Sequence, residues 1–194
     1  MIHFIKDYIY DSIETKKRIL NDENLINKVY KASSVIVDAL SYGKKILIAG
    51  NGGSAADAQH IAAEFVSRFY FDREGLSAIA LTVDSSVLTA IGNDYGFEHV
   101  FARQIEANGA KGDVFIGITT SGTSQNIINA VKKAREKGIA TIIFTGEQST
   151  KLCAEADIAI NVPSRETPKI QESHIMIGHI ICAIVEKEIF TQVK

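Results

Sequence analysis

The spacing of apolar positions changes near residue 44 and divides the chain into two parts. Ahead of it, residues 2–20 and 24–42 carry apolar side chains three and four apart. Leu25, Val29, Ala32, Val35, Ile36 and Leu40 are examples, and the period predicts two amphipathic helices. Asn21 and Gly43 mark their ends. Beyond residue 44, short unbroken apolar runs at 46–49, 77–81, 114–118, 141–144 and 158–162 alternate with stretches of helical spacing. Those stretches lie near 55–69, 97–106, 125–136, 150–156 and 171–190. Runs without alternation predict strands covered on both faces, as in a parallel sheet. The expected fold is α/β: a three-layer α/β/α sandwich with a five-stranded parallel sheet and an N-terminal helical extension. The helices of residues 1–43 are expected to form a single globular unit with residues 44–194. Ligands of such folds sit beyond the carboxyl ends of the strands.

Composition narrows the functions open to this fold. Apolar residues make up 46% and charged residues 23%, as in ordinary globular proteins. Lys and Arg number 21 against 23 Asp and Glu, a net charge of −2, so the basic excess that coats phosphate backbones is missing. No nucleic-acid partner is expected. Cys153 and Cys182 lack C-x-x-C spacing and read as small apolar core residues. The strongest apolar stretch, residues 175–189, is broken by Gly178, His179, Glu186, Lys187 and Glu188, too short and polar for a bilayer span. The first residues meet Lys6 and Asp7 without the apolar run of a leader. No membrane partner is expected, and the location expected is cytoplasmic.

Two loops could hold a phosphate. The first strand runs into Gly50-Asn51-Gly52-Gly53-Ser54-Ala55, directly ahead of a helix. Gly50, Gly52 and Ala55 match a dinucleotide fingerprint loosely, but its ribose-binding acid should follow about twenty residues on. The first acid after the second strand, Asp84, comes too late for that role. The third strand ends in Thr119-Thr120-Ser121-Gly122-Thr123-Ser124, five hydroxyls in six residues and no Lys. Capping a helix needs only one of them. The surplus, with Gly122 for close backbone approach, predicts an uncharged phosphate cradle at the positive end of a helix.

Candidate chemistry lies on two of the helices. His60 and Glu64 stand four apart, so both project from one face. Gln171 and His179 belong to the last helical stretch, and His60, Glu64 and His179 could bind zinc with Gln171 as a weaker fourth ligand. Eight residues inside one regular helix separate Gln171 from His179 by roughly 12 Å along the axis, too far for neighbouring ligands of one ion. Either Gln171 precedes the regular helix, after Pro168, or the site is assembled from two subunits; an interface site is expected. His3, His99 and His174 have no such company, and no role is assigned to them.

Together these segments resemble the sugar isomerase (SIS) domain family and, within it, the phosphoheptose isomerases. The likeness runs through nearly the whole chain. It rests on Gly50 to Ala55 with Asp57-Ala58-Gln59-His60-x-x-x-Glu64, on Gly92-Asn93-Asp94-Tyr95-Gly96-Phe97, and on Thr120-Ser121-Gly122-Thr123-Ser124. Ile170-Gln171-Glu172-x-His174 and His179 complete it. The resemblance implies an aldose–ketose isomerase converting sedoheptulose 7-phosphate to D-glycero-D-manno-heptose 7-phosphate through an enediol. That reaction is the first step of nucleotide-activated heptose synthesis for lipopolysaccharide or capsule. The resemblance also implies a homotetramer with one Zn2+ per subunit, held by His60, Glu64, Gln171 and His179. Substrate would meet Asn51, Gly52, Gly53, Ser54, Glu64, Asn93, Asp94, Thr119, Thr120, Ser121, Ser124 and Gln171, with Glu64 and His179 catalytic. Thr123 stands where relatives often have Asn, and Pro168 where some have an acid. Two alternatives share the fold: a non-enzymatic replication-initiator-associating protein, and an isomerase of another sugar phosphate. The first class lacks the counterparts of Glu64 and His179, which this chain retains.

Overall fold

The computed structural model describes residues 1–148 and 150–191. Among them, five parallel strands pair in the order β2-β1-β3-β4-β5: β1 (Ile46–Gly50), β2 (Ala78–Ala80), β3 (Val114–Ile118), β4 (Ala140–Thr145) and β5 (Ile158–Asn161). The helices are α1 (Ile2–Leu20), α2 (Glu23–Ser41), α3 (Gly53–Val66) and α4 (Ser85–Tyr95). They continue with α5 (Val100–Asn108), α6 (Gln125–Glu136), α7 (Lys151–Glu155) and α8 (Thr167–Phe190). The three-layer sandwich expected from the apolar runs is the observed architecture. No described helix is long and apolar enough to cross a membrane.

The strands are apolar throughout because each face meets its own layer of helices. On β1, Ile46 and Ile48 join one core with Ile36 of α2, Ile61 and Phe65 of α3, and Ile177 and Ile181 of α8. Leu47 and Ala49 point the other way, into a second core with Ile105 of α5 and Ile127 and Val131 of α6. The register keeps these faces aligned, with Ile46 opposite Val114 and Ile48 opposite Ile116. From β1 the chain moves outward to β2, then returns across the sheet to β3 on β1's other side. The carboxyl ends of β1 and β3 therefore diverge side by side, the place where such sheets bind ligands.

Differences from the sequence pattern have local causes. Helix α4 was not expected; it buries none of its residues fully and packs on the second core only through the part-buried Leu88 and Ile91. Its start is fixed by Asp84, whose carboxylate accepts from the Val87 amide at 2.9 Å. Helix α8 begins at Thr167 rather than near 171, with Pro168 in the first turn, where a missing N–H costs nothing. Residues 97–99 form a 3-10 turn ahead of α5.

Polar groups buried on α8 tie it to its surroundings. The Lys169 ammonium donates to the Tyr8 carbonyl of α1 at 2.7 Å. His174, for which no role was expected, lies fully buried, with Nε2 3.2 Å from the Thr145 carbonyl at the end of β4. Nε2 must then carry the proton and Nδ1, without a partner, the lone pair. Burial pushes its pKa down to about 4. An unfolded chain takes up this proton near pH 6.5, the folded protein only near 4, so this part of the stability is complete above pH 6.5 and is lost as pH falls towards 4. In denaturant titrations at successive pH values, His174→Gln should flatten the loss between pH 6.5 and 4. The change in slope should approach ~1.4 kcal/mol per pH unit. An unchanged slope would show that His174 is not the titrating group.

Candidate active site

The turn after β1 is dictated by glycines. A Cβ on Gly50 would lie 2.4 Å from the Ser54 carbonyl oxygen, and Gly52 has φ +56°, a region that side chains disfavour. Gly52 is the N-cap of α3 and offers no side chain to its amides. Gly53 leaves room for the Gln171 amide, whose Nε2 would meet a Cβ there at 2.6 Å.

The loop after β3 is organised by its own hydroxyls. Thr119 Oγ1 and Ser124 Oγ are 3.1 Å apart, and the Gly122 amide donates to Thr119 Oγ1. Both the amide and the hydroxyl of Thr123 donate to Ser121 Oγ, at 3.2 and 3.0 Å. Gly122 has φ +67° and no space for a Cβ beside Thr150. Ser124 occupies the N-cap of α6 yet makes no side-chain cap bond, so its hydroxyl serves the loop rather than the helix. A polar depression opens against Thr120 and Ser121. It is flanked by Ser164 and by Arg165, whose Nε reaches Glu147 Oε2 at 2.9 Å.

Sequence reasoning missed the link between the two loops. Asn51 and Asn126 exchange a pair of amide hydrogen bonds, of 2.9 and 2.8 Å, across the divergence of β1 and β3. Asn126 sits one residue into α6, is 3% exposed, and reads in sequence as an ordinary helix residue.

Beyond the loops, two helices bring together a carboxylate and two imidazoles. His60 Nε2 is 3.0 Å from Glu64 Oε1 on α3, and His179 Nε2 of α8 is 3.2 Å from His60 Nε2. Their ligand atoms lie within 4.8 Å of one another. Gly178, beside His179, makes the approach possible: a Cβ there would meet Ile61 Cδ1 at 2.6 Å. The helices run side by side in one direction, Gln171 against Gly53 and His179 against His60. Two imidazole nitrogens facing each other beside one carboxylate form a donor set suited to a shared cation. A tetrahedral zinc site takes such ligands at about 2 Å.

Asp57, one turn before His60, was not singled out from sequence either. Its Oδ2 is buried without a partner and burial raises its pKa, a rise that His60 opposes.

The remaining expected residues sit apart from this cluster. Gln171 lies inside α8, not ahead of it, which closes the first of the two options for joining it to His179. Asn93 and Asp94 lie in the last turn of α4, exposed, hydrogen-bonded to each other at 2.8 Å. Cys182 is buried in the core and Cys153 only partly so.

The SIS domain family model matches residues 7–146. The phosphoheptose isomerase of Aneurinibacillus thermoaerophilus is 58% identical, over 98% of this chain and 96% of that protein. Among solved structures, the phosphoheptose isomerase of Neisseria gonorrhoeae superposes with a TM-score of 0.89 at 42% identity, covering 95% of this chain and 98% of that one. The phosphoheptose isomerase of Francisella tularensis gives a TM-score of 0.92 at 37% identity, covering 96% and 98%.

The amide bridge can be tested directly. Asn126→Ala leaves the half-buried Asn51 amide without its partner and should destabilise the protein by about 1–3 kcal/mol in chemical denaturation. Equal midpoints for the two proteins would mean that the bridge contributes nothing.

Proposed function

Because the chain belongs to the SIS domain family, and within it to the phosphoheptose isomerases, we propose that it interconverts sedoheptulose 7-phosphate and D-glycero-D-manno-heptose 7-phosphate. This first step of nucleotide-activated heptose synthesis would run in the cytoplasm. The observation that carries the catalytic assignment is the convergence of Glu64, His60 and His179 within 4.8 Å on the helix that leaves the first loop and on the last helix.

The reaction moves a proton between two adjacent carbons, by way of an enediol. Glu64 is the base that takes the proton from the carbon beside the carbonyl and returns it to the neighbouring carbon. His179 moves the proton between the two oxygens. The hydroxyls of Thr119, Thr120, Ser121 and Ser124, with the amides that open α6, hold the phosphate. Asn51, Gly52, Gly53 and Ser54 line the sugar chain, and Asn93 and Asp94 take its hydroxyls. His60, Glu64, His179 and Gln171 are the residues that would hold a zinc ion. The ion's chemistry, when bound, is to polarise the substrate oxygens and stabilise the negative charge that grows on them.

A homotetramer with sites at subunit interfaces completes the proposal. Gln171 and His179 are eight residues apart on one helix, so a full ligand set around one ion needs a second chain. Its support is the apolar surface that one chain leaves uncovered: Phe4, Ile5 and Ile9 of α1 are more than half exposed. A groove along α8 also places His179 beside Ile175, Met176 and Ile180.

Two measurements test these assignments. Glu64→Gln should lower turnover of sedoheptulose 7-phosphate by about 10²–10⁴-fold. Calorimetric affinity for the sugar phosphate should stay within a few fold; near-normal turnover would remove Glu64 from the role of base. Dialysis against a strong chelator should abolish turnover and Zn2+ should restore it. Full activity in protein shown to be free of metal would dismiss the cation.

A further inference from the structure

We propose that the buried Arg73–Glu186 pair is a positioning device for the reaction, holding Glu64 and His179 in register by tying the end of α3 to α8. The inference rests on the proposed roles of those two residues and adds what sets their separation.

Arg73 lies in the loop between α3 and β2, and its side chain is 3% exposed against 1% for Glu186. Its Nη2 donates to the carbonyl of Glu64 itself at 2.8 Å. Its Nη1 donates to the carbonyls of Phe65, Ser67 and Glu74, at 2.6, 2.8 and 3.0 Å. The last carbonyls of a helix have no partner within it, and here one guanidinium gathers those that end α3. Arg73 Nε then donates to Glu186 Oε1 at 3.1 Å. The same carboxylate accepts from the amides of Phe69 at 2.9 Å and Tyr70 at 2.7 Å. Glu186 stands seven residues after His179, two turns along the same helix. Phe69, in the loop that the pair closes, sets its ring 5.5 Å from that of His179.

The pair therefore grips one reacting residue by its backbone and the other through its helix. Apart from the exposed His60–His179 approach and the Gln171 amide at Gly53, the contact between α3 and α8 is apolar, with Ile61, Phe65, Ile177, Ile181 and Val185 all buried. Such packing sets the distance between the helices through interdigitated side chains but contributes no directional bond. Charge-assisted bonds to a carboxylate add a directional restraint on the relative position of the two helices. Replacing a buried ion pair with apolar side chains often preserves or raises stability, so stability alone does not explain this one. Reacting groups tolerate little displacement: about 1 Å can cost 10²-fold in rate.

Glu186→Gln keeps the shape and one acceptor oxygen while removing the charge. On the folded variant, checked by circular dichroism and assayed well below its melting midpoint, kcat should fall about 10–100-fold. KM for sedoheptulose 7-phosphate should stay within about twofold, because the phosphate loop is untouched. Zn2+ affinity, measured by competition with a chromogenic chelator, should weaken about tenfold, in line with other displaced supports of metal ligands. Arg73→Lys should keep part of the lost turnover and Arg73→Met none. If Glu186→Gln does not fold, the same readouts on Arg73→Lys decide. Unchanged kcat, a KM that rises as kcat falls, or Zn2+ affinity equal to the parent would each overturn the proposal. The two levels fail differently: an active Glu64→Gln removes the catalytic assignment itself, whereas an inactive Glu64→Gln beside a fully active Glu186→Gln removes only the role of the pair.

Discussion

The proposed chemistry depends on how closely two helices can lie. Helix α3 leaves the first strand and α8 closes the chain, and they touch where Gly178 presents no side chain to Ile61. A larger residue there would force the buried Ile61 side chain or α8 itself to shift, next to where His179 meets His60. His60 and Glu64 are neighbours on one helix, but His179 comes from more than a hundred residues further on, so no local motif can assemble all three. The sheet supplies the platform, since both helices bury their apolar sides against the same face of β1 and β3.

A second constraint acts at the other end of α3. Strands β1 and β3 part company where the chain reverses its direction of travel across the sheet, and two loops open there. Asn51 and Asn126 bridge the gap with complementary amides, so the glycine turn and the hydroxyl loop behave as one rim. The two ends of the site thus rest on different physics. The loops are held by directional hydrogen bonds, and the imidazole cluster by close packing with a buried ion pair behind it.

Much of this was legible in the sequence, and the reasons differ by element. Residues 46–49 were recognisable as a fully covered strand because Ile46 and Ile48 face one helical layer while Leu47 and Ala49 face the other. Helix α4 escaped because it meets the core only through the part-buried Leu88 and Ile91, too short a stripe to stand out. The pairing of His60 with Glu64 followed from helical spacing alone, whereas His179 was a candidate only by residue type until the fold set it against His60. Gln171 was expected as a weaker fourth ligand, and the helix places its amide against Gly53. Asn126, Arg73 and Glu186 were invisible because their work lies in partners distant along the chain. A lone Asn, Arg or Glu looks the same whether it faces water or locks two elements together.

The rim around the third strand's end has a consequence for the setting in which the protein works. Its hydroxyls and amides carry no net charge, and nearby Arg165 is already matched by Glu147. A phosphate received there, as proposed, would be held by oriented dipoles and hydrogen bonds rather than by a fixed cation. Counter-ions in solution screen fields and leave such contacts almost untouched. Without a fixed cation at the rim, capture of such a substrate would lean less on long-range attraction and vary less steeply with ionic strength than at a lysine- or arginine-lined site.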